Sequence, residues 1–483
     1  MKKIIKLVLA FLIVGCTLIP TNVFASERES LTKESGSHGQ YITRVEGRDW
    51  GPAVTKVILL RDNTDLTLNV NDYKVVSNRV FEDGTKIPGY DDTNSQVSEV
   101  YYSDDQGNKA NSKSNYVTLE LVIGPEVAQS SPFYFDQEAF KSSYVDMHMI
   151  VTHKSGAIFD KSVKNINVIA DDFKTEAYEY KDDKFGDMKL SYGSYAPKED
   201  DHKNALVIWL HGMGEGGTDP NLILYGNRVT NLATKETQEK FDGAYVLTPQ
   251  APTFWLNQGD GNMTVDGTSM YSDALMSLIK NYVDNNKDID TERIYIGGCS
   301  NGGYMTMRMI VDNPDYFAAA YPICEALYDD YITDEDIQKI KHIPIWFTHS
   351  KDDVLIAPDD ATTATYNRLK EAGAKNIHYS LFDNVVDTSG LYKKDGKPYP
   401  YFGHFSWIYT LNNECKLDYD GSPVVVDGKE VAIFDWLAMQ KKQPMEYTEP
   451  TFMDNYGSIV ISFIAVIAIV FICTRLPEHK EKV

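Results

Sequence analysis

The second half of the chain carries a series of short apolar runs that leave few folds open. LVIWL (206–210), YVLT (245–248), RIYIGG (293–298), AAAYPI (318–323), IPIWFTH (343–349) and IHYSLF (377–382) lack the polar alternation of a sheet with one wet face. Between them lie segments with apolar residues at helical spacing. Met270, Ala274, Leu275, Leu278, Ile279 and Tyr282 mark one such helix within Ser269 to Asn286. Tyr304 to Val311 reads as another, stopped by Pro314, and Thr362–Ala372 and Val431–Met439 as two more. Strands buried on both faces, alternating with helices, predict an α/β domain with a mostly parallel central sheet and helices on both sides.

The first half has a different rhythm. TKVILL, LTLNV, YKVV, VSEVYY, YVTLELVI, DMHMIVTH and VKNINVI are short β-rich runs separated by turn clusters such as EDGTKIPGYDDTN. Six or seven strands in about 130 residues fit an antiparallel sandwich of Ig-like size. The expected boundaries are 26–172 for this domain and 173–442 for the α/β domain. A chain of 483 residues has room for both, and 42% hydrophobic content supplies two cores. The net charge of -23 argues against nucleic acid, whose phosphates need Lys and Arg partners.

Both ends carry targeting signals. Lys2, Lys3 and Lys6 precede an apolar run from Leu7 to Gly15, and Val23-Phe24-Ala25 supplies small residues for cleavage after Ala25. Residues 1–25 therefore read as a signal peptide. Ile13-Val14-Gly15-Cys16 also resembles a lipoprotein processing site, so a lipidated Cys16 stays open. A linker at 443–456 leads to 457–474, eighteen uncharged residues that just span a hydrocarbon core. Arg475, Lys480 and Lys482 follow, which sets the tail 475–483 in the cytoplasm and the body outside. Cys299, Cys324 and Cys415 leave room for one disulfide at most, and no CxxC, HExxH or calcium-loop pattern implies a metal or cofactor.

The chemistry gathers just past the strand ends, where open sheets place their working residues. Gly298-Cys299-Ser300-Asn301-Gly302 fits G-x-S-x-G between a strand and a helix. Centring the pattern on Cys299 would put Asn301 where a glycine belongs, so the frame selects Ser300. A serine nucleophile needs a base, and His404 in FGHFSW follows the last buried strand. The acid that orients it is expected after IPIWFTH, with Asp353 favoured over Asp352. HGMGEGG after the first strand has no GK[ST] ending and is no phosphate loop. Its backbone suits an oxyanion hole, with N–H groups from Met213 and Asn301.

Together, LSYGSYAP, WLHGMGEGG, TPQAPTFW, GGCSNGGY, HSKDDVLIAP and GHFSW resemble α/β-hydrolases, and among them secreted esterases of the polyhydroxybutyrate-depolymerase and feruloyl/acetylxylan-esterase kind. GRDWGPAVTKVIL resembles the Ig-like N-terminal domain that some bacterial esterases carry. The resemblance implies Ser300, Asp353 and His404 as a triad and sets Gln250 and Trp255 near the pocket. His211, Glu325 and Trp407 are further pocket candidates. Glu325 stands where the family more often has a small residue, and Phe405 is bulkier than usual. The expected activity is a serine carboxylic ester hydrolase acting outside the cell on small-molecule or polysaccharide-linked esters, with no cofactor. GGCSNGGY also resembles the elbow of prolyl-oligopeptidase-type peptidases, which normally carry a far larger β-propeller. A non-catalytic surface binding protein on the same scaffold is a third reading.

Overall fold

The computed structural model describes residues 38–61, 64–87, 93–264 and 266–445. The expected signal peptide, the apolar run 457–474 and the tail lie outside these residues. Among the described residues, no helix is long and apolar enough to cross a membrane.

The N-terminal strands are β1 (His38–Arg48), β2 (Gly51–Leu60), β3 (Tyr73–Val80), β4 (Thr93–Ser95), β5 (Val97–Ser103) and β6 (Tyr116–Leu121). After them come β7 (Phe133–Asp136), β8 (Lys141–Tyr144), β9 (Asp146–His153) and β10 (Ile158–Asn167). Eight of the ten are hydrogen-bonded in the order β4-β3-β9-β10-β1-β2-β6-β5, and β7–β8 form a separate hairpin. β9 and β10 pair only beside their turn, at Thr152–Ile158 and Val151–Phe159. Beyond that corner they part, which lets the two strand groups face each other. The Tyr41 hydroxyl accepts the Met149 N–H at 2.9 Å across the gap. Tyr41, Val57, Val75, Leu119, Met149 and Val151 fill the core between them. One expectation needs correction: the sandwich is not wholly antiparallel. β1 runs parallel to β10, with two register shifts that bend it between its neighbours.

The second sheet begins with β11 (Lys174–Asp182) and β12 (Gly186–Tyr195), an antiparallel hairpin. It continues with β13 (Asn204–Leu210), β14 (Ala244–Gln250), β15 (Ile289–Cys299), β16 (Ala319–Ile323), β17 (Ile345–Ser350) and β18 (Ile377–Phe382). The spatial order is β11-β12-β14-β13-β15-β16-β17-β18, and every pair from β14 onward is parallel. All seven residues of β13 are buried, as its apolar run requires. Each fully buried Leu or Ile there stabilises the fold by about 1.5–3 kcal/mol. The helix Ser272–Asn285 buries Ala274, Leu275, Leu278 and Ile279, the stripe that its spacing predicts. The parallel strands point the loops after β13, β15, β17 and β18 towards one edge of the sheet. The triad and oxyanion candidates stand there, while Gln250 ends β14 and Trp255 and Glu325 follow β14 and β16.

Candidate active site

β15 ends at Cys299, and the helix Asn301–Asp312 starts two residues later. Ser300 takes up the whole change of direction, at φ 55° and ψ −114°. A non-glycine residue at positive φ is costly and persists only where its surroundings hold it. Here they do. Its N–H donates to Ile323 O at 2.9 Å, and its carbonyl accepts from Tyr304 N–H at 2.9 Å. A β-carbon on Gly298 or Gly302 would collide with the carbonyl oxygen of Leu210, so the frame glycines are a packing requirement. Cys299 is fully buried, with its Sγ against Gly212. Burial and the neighbouring Cys324 push its thiol well above the ordinary range, so it holds its proton and is a poor nucleophile. Cys299, Cys324 and Cys415 are all free thiols.

His404 and Asp353 meet although 51 positions apart. His404 Nδ1 donates to Asp353 Oδ2 at 2.6 Å, in a site where both are buried. The other Asp353 oxygen accepts from the backbone N–H groups of Leu355 and Ile356 at 2.9 and 3.1 Å. His349 Nε2 adds a second donor to Oδ2 at 3.0 Å. Burial alone would raise the Asp353 pKa, but the bonds from His349 and His404 outweigh it and hold the carboxyl well below the usual range. Asp352 is exposed, and its side chain turns to the Ser350 hydroxyl and to Gly403. With Nδ1 committed to Asp353, Nε2 is the ring nitrogen of His404 left for other work. Trp407 packs edge-on to that ring at 5.9 Å.

The loop after β13 folds as a tight turn, Met213–Glu215. His211 is fully buried behind it. Its Nδ1–H donates to Gly212 O at 2.6 Å, and its Nε2 accepts Ala251 N–H at 3.0 Å. Burial lowers its pKa to about 4, so the ring is neutral. Gln250 Nε2 donates to the carbonyls of Glu215 and Asp219 at 2.8 and 2.9 Å. Asn301, at the first turn of its helix, accepts Trp255 N–H through Oδ1 at 2.6 Å. Its own backbone N–H is at the positive end of the helix dipole.

Of the five expected pocket residues, His211, Gln250, Trp255 and Glu325 lie behind the loops. All are fully buried and knit loops together from behind. Trp255 packs against His211 and Tyr271, and Glu325 Oε2 accepts Leu327 N–H at 2.7 Å. The sequence reading missed the β7–β8 hairpin of the N-terminal domain, which lies on the Met213–Glu215 turn. A β-carbon on Gly214 would stand 3.2 Å from Ser142 Oγ and 3.4 Å from Phe135. No motif signals this contact, because it joins two domains.

Comparison with known proteins adds five findings. Residues 40–162 match the esterase Ig-like N-terminal domain. Residues 255–378 match the prolyl oligopeptidase family. A solved thermostable esterase is 25% identical and superposes with a TM-score of 0.63, covering 84% of this chain and 100% of its own. Two curated relatives are more partial. Acyl-protein thioesterase 1 of Debaryomyces hansenii is 22% identical over 205 residues, 38% of this chain and 84% of the relative. Feruloyl esterase B of Neurospora crassa is 30% identical over 126 residues, 26% of this chain and 40% of the relative.

Proposed function

We propose that this chain, a serine hydrolase with an α/β-hydrolase fold behind an Ig-like esterase domain, cleaves carboxylic esters through an acyl-enzyme. The observation that carries the reading is the His404–Asp353 bond at 2.6 Å, which commits the Nδ1 proton and frees Nε2 to take one from a hydroxyl. Ser300 attacks the ester carbonyl as His404 removes its proton. The N–H groups of Met213 and Asn301 hold the developing oxyanion. Asp353 keeps the imidazole in one tautomer and stabilises the imidazolium. His404 then protonates the leaving alkoxide, activates water and so clears the acyl group.

The substrates fitting this reading are short-acyl or aromatic-acid esters, free or linked to polysaccharide, in keeping with the feruloyl esterase likeness. The reading of 1–25 as a signal peptide and of the apolar run 457–474 as a membrane span supports a single-pass protein with its catalytic domain outside. A serine peptidase is the second reading, favoured by the prolyl oligopeptidase match. Purified protein assayed on an aryl acetate and on a peptidyl anilide separates the two. Ester turnover should dominate, and Ser300→Ala should lower it by about 10⁴-fold or more while staying folded. Cys299→Ala should keep most of it. Equal or faster anilide cleavage would favour the peptidase, and a live serine variant with a dead cysteine variant would reject Ser300. Activity of the full chain should sediment with membranes.

A further inference from the structure

The hydrogen bonds at Asp353 continue away from His404 into the interior. His349 Nε2 faces two acceptors, Asp353 Oδ2 at 3.0 Å and Ile356 O at 3.2 Å, so it must carry a proton. His349 is fully buried, and burial disfavours its charged form. In the neutral ring Nδ1 is then a bare acceptor. Thr362 Oγ1 stands 2.9 Å from it and is its donor. That spends the only hydroxyl proton of Thr362. Yet Glu325 Oε1 lies 3.4 Å from the same oxygen, while Oε2 takes the Leu327 N–H. Two oxygens that both lack a proton to share would repel. The accounting closes if Oε1 carries a proton and donates it to Thr362.

We propose that Glu325 is a protonated carboxylic acid that heads a directed hydrogen-bond chain through Thr362 and His349 to Asp353, and so positions His404. The proposal rests on the assignment of His404 and Asp353 to an esterase site made above. Glu325, Thr362 and His349 are positioning residues, since none is bonded to His404 or Ser300.

The site around Glu325 suits a neutral acid. It lies under the first turn of the Asn301–Asp312 helix, where a β-carbon on Gly303 would stand 2.7 Å from its Cα and Cβ. Asp329, Tyr328 and Cys324 face it from its own segment, and Tyr379 from β18. His349 and Asp353 stand beyond Thr362. Asp329, itself paired to Arg368 at 2.8 Å, opposes a second negative charge. Burial is the larger cause, and the carboxyl is pushed up to about 8. Above that pH the acid ionises and the Thr362 hydroxyl turns to the new carboxylate. His349 Nδ1 then loses its donor, and the chain loses its direction.

The test is the pH profile of kcat and KM for an aryl ester from about pH 6 to 10, with folding followed by circular dichroism. Wild-type kcat should fall about tenfold above pH 8, the worth of one hydrogen bond, with KM little changed. Glu325→Gln, whose amide donates at every pH, should abolish that fall. Thr362→Val should lower kcat about tenfold at neutral pH without moving KM, and Thr362→Ser should restore it. An alkaline fall that persists in Glu325→Gln overturns the proposal, as does wild-type kcat in Thr362→Val. Turnover by Ser300→Ala would instead overturn the site reading beneath it.

Discussion

A second acid is buried at the site, and its position makes a separate demand. Glu215 closes the Met213–Glu215 turn, with its side chain packed against Gly226 and Gly212. Burial raises its carboxyl to about 7, despite the opposing N–H groups of Glu215 itself and Gly212. The ordinary value is 4.5, so the folded chain holds a proton that the unfolded chain releases between these limits. Below pH 4.5 neither state is penalised. From there to about pH 7 the unfolded state gains by ionising, so stability falls as pH rises. Glu215→Gln should remove this contribution. Its thermal midpoint should decline less than that of the wild type between pH 5 and 8. Parallel declines would show that Glu215 ionises freely in the folded protein.

At the scale of elements, the β7–β8 hairpin joins the N-terminal domain to the proposed oxyanion turn. Phe135 is 44% exposed, so truncating it costs little core packing. It does, however, back the chain at Gly214. Phe135→Ala should leave the unfolding midpoint nearly unchanged while lowering kcat several-fold, because a loosened donor stabilises the oxyanion less. Unchanged kcat would make the hairpin a bystander. This hairpin was illegible in the sequence, since FYFD and KSSY are short and show no alternation. The buried strands from β13 onward were legible, because apolar runs of that length have few other uses. The strand–turn–helix frame around Ser300 was legible for a related reason, since it is a local pattern. Asp353 was favoured over Asp352 from its place in the sequence, but its burial beside His404, with Asp352 left exposed, shows only in the structure. Adjacent carboxylates look alike until burial turns one inward. The enclosure of Glu325 was not legible either, since only packing shows that this carboxyl is buried.

Taken whole, the molecule has no clean break between its domains. One continuous apolar cluster runs from Tyr41 and Val57 of the sandwich to Trp209, Tyr295 and Trp436 of the α/β domain. A polar knot seals its edge. Arg228 Nη1 donates to Asp49 Oδ1 at 2.7 Å, and Asn412 Nδ2 donates to the same oxygen at 3.1 Å. Asn412 caps the helix Trp407–Leu411, which begins three residues after His404. The side chain of Asp49 is only 6% exposed, while that of Arg228 is 29% exposed and keeps some water. Asp49→Ala would remove the Asp49 acceptor from both Arg228 and Asn412, leaving Arg228 only the Asn412 Oδ1 at 3.3 Å. The partial hydration of Arg228 discounts the cost to about 1–3 kcal/mol. With a shared core, that loss should be felt by both domains together. Urea unfolding followed by far-ultraviolet circular dichroism and by esterase activity should give one coincident transition, moved to lower urea in Asp49→Ala by the same amount for both probes. If activity were lost at an unchanged urea concentration while the β signal shifted, the α/β domain would stand on its own, and the sandwich would be an appendage rather than half of one cooperative unit.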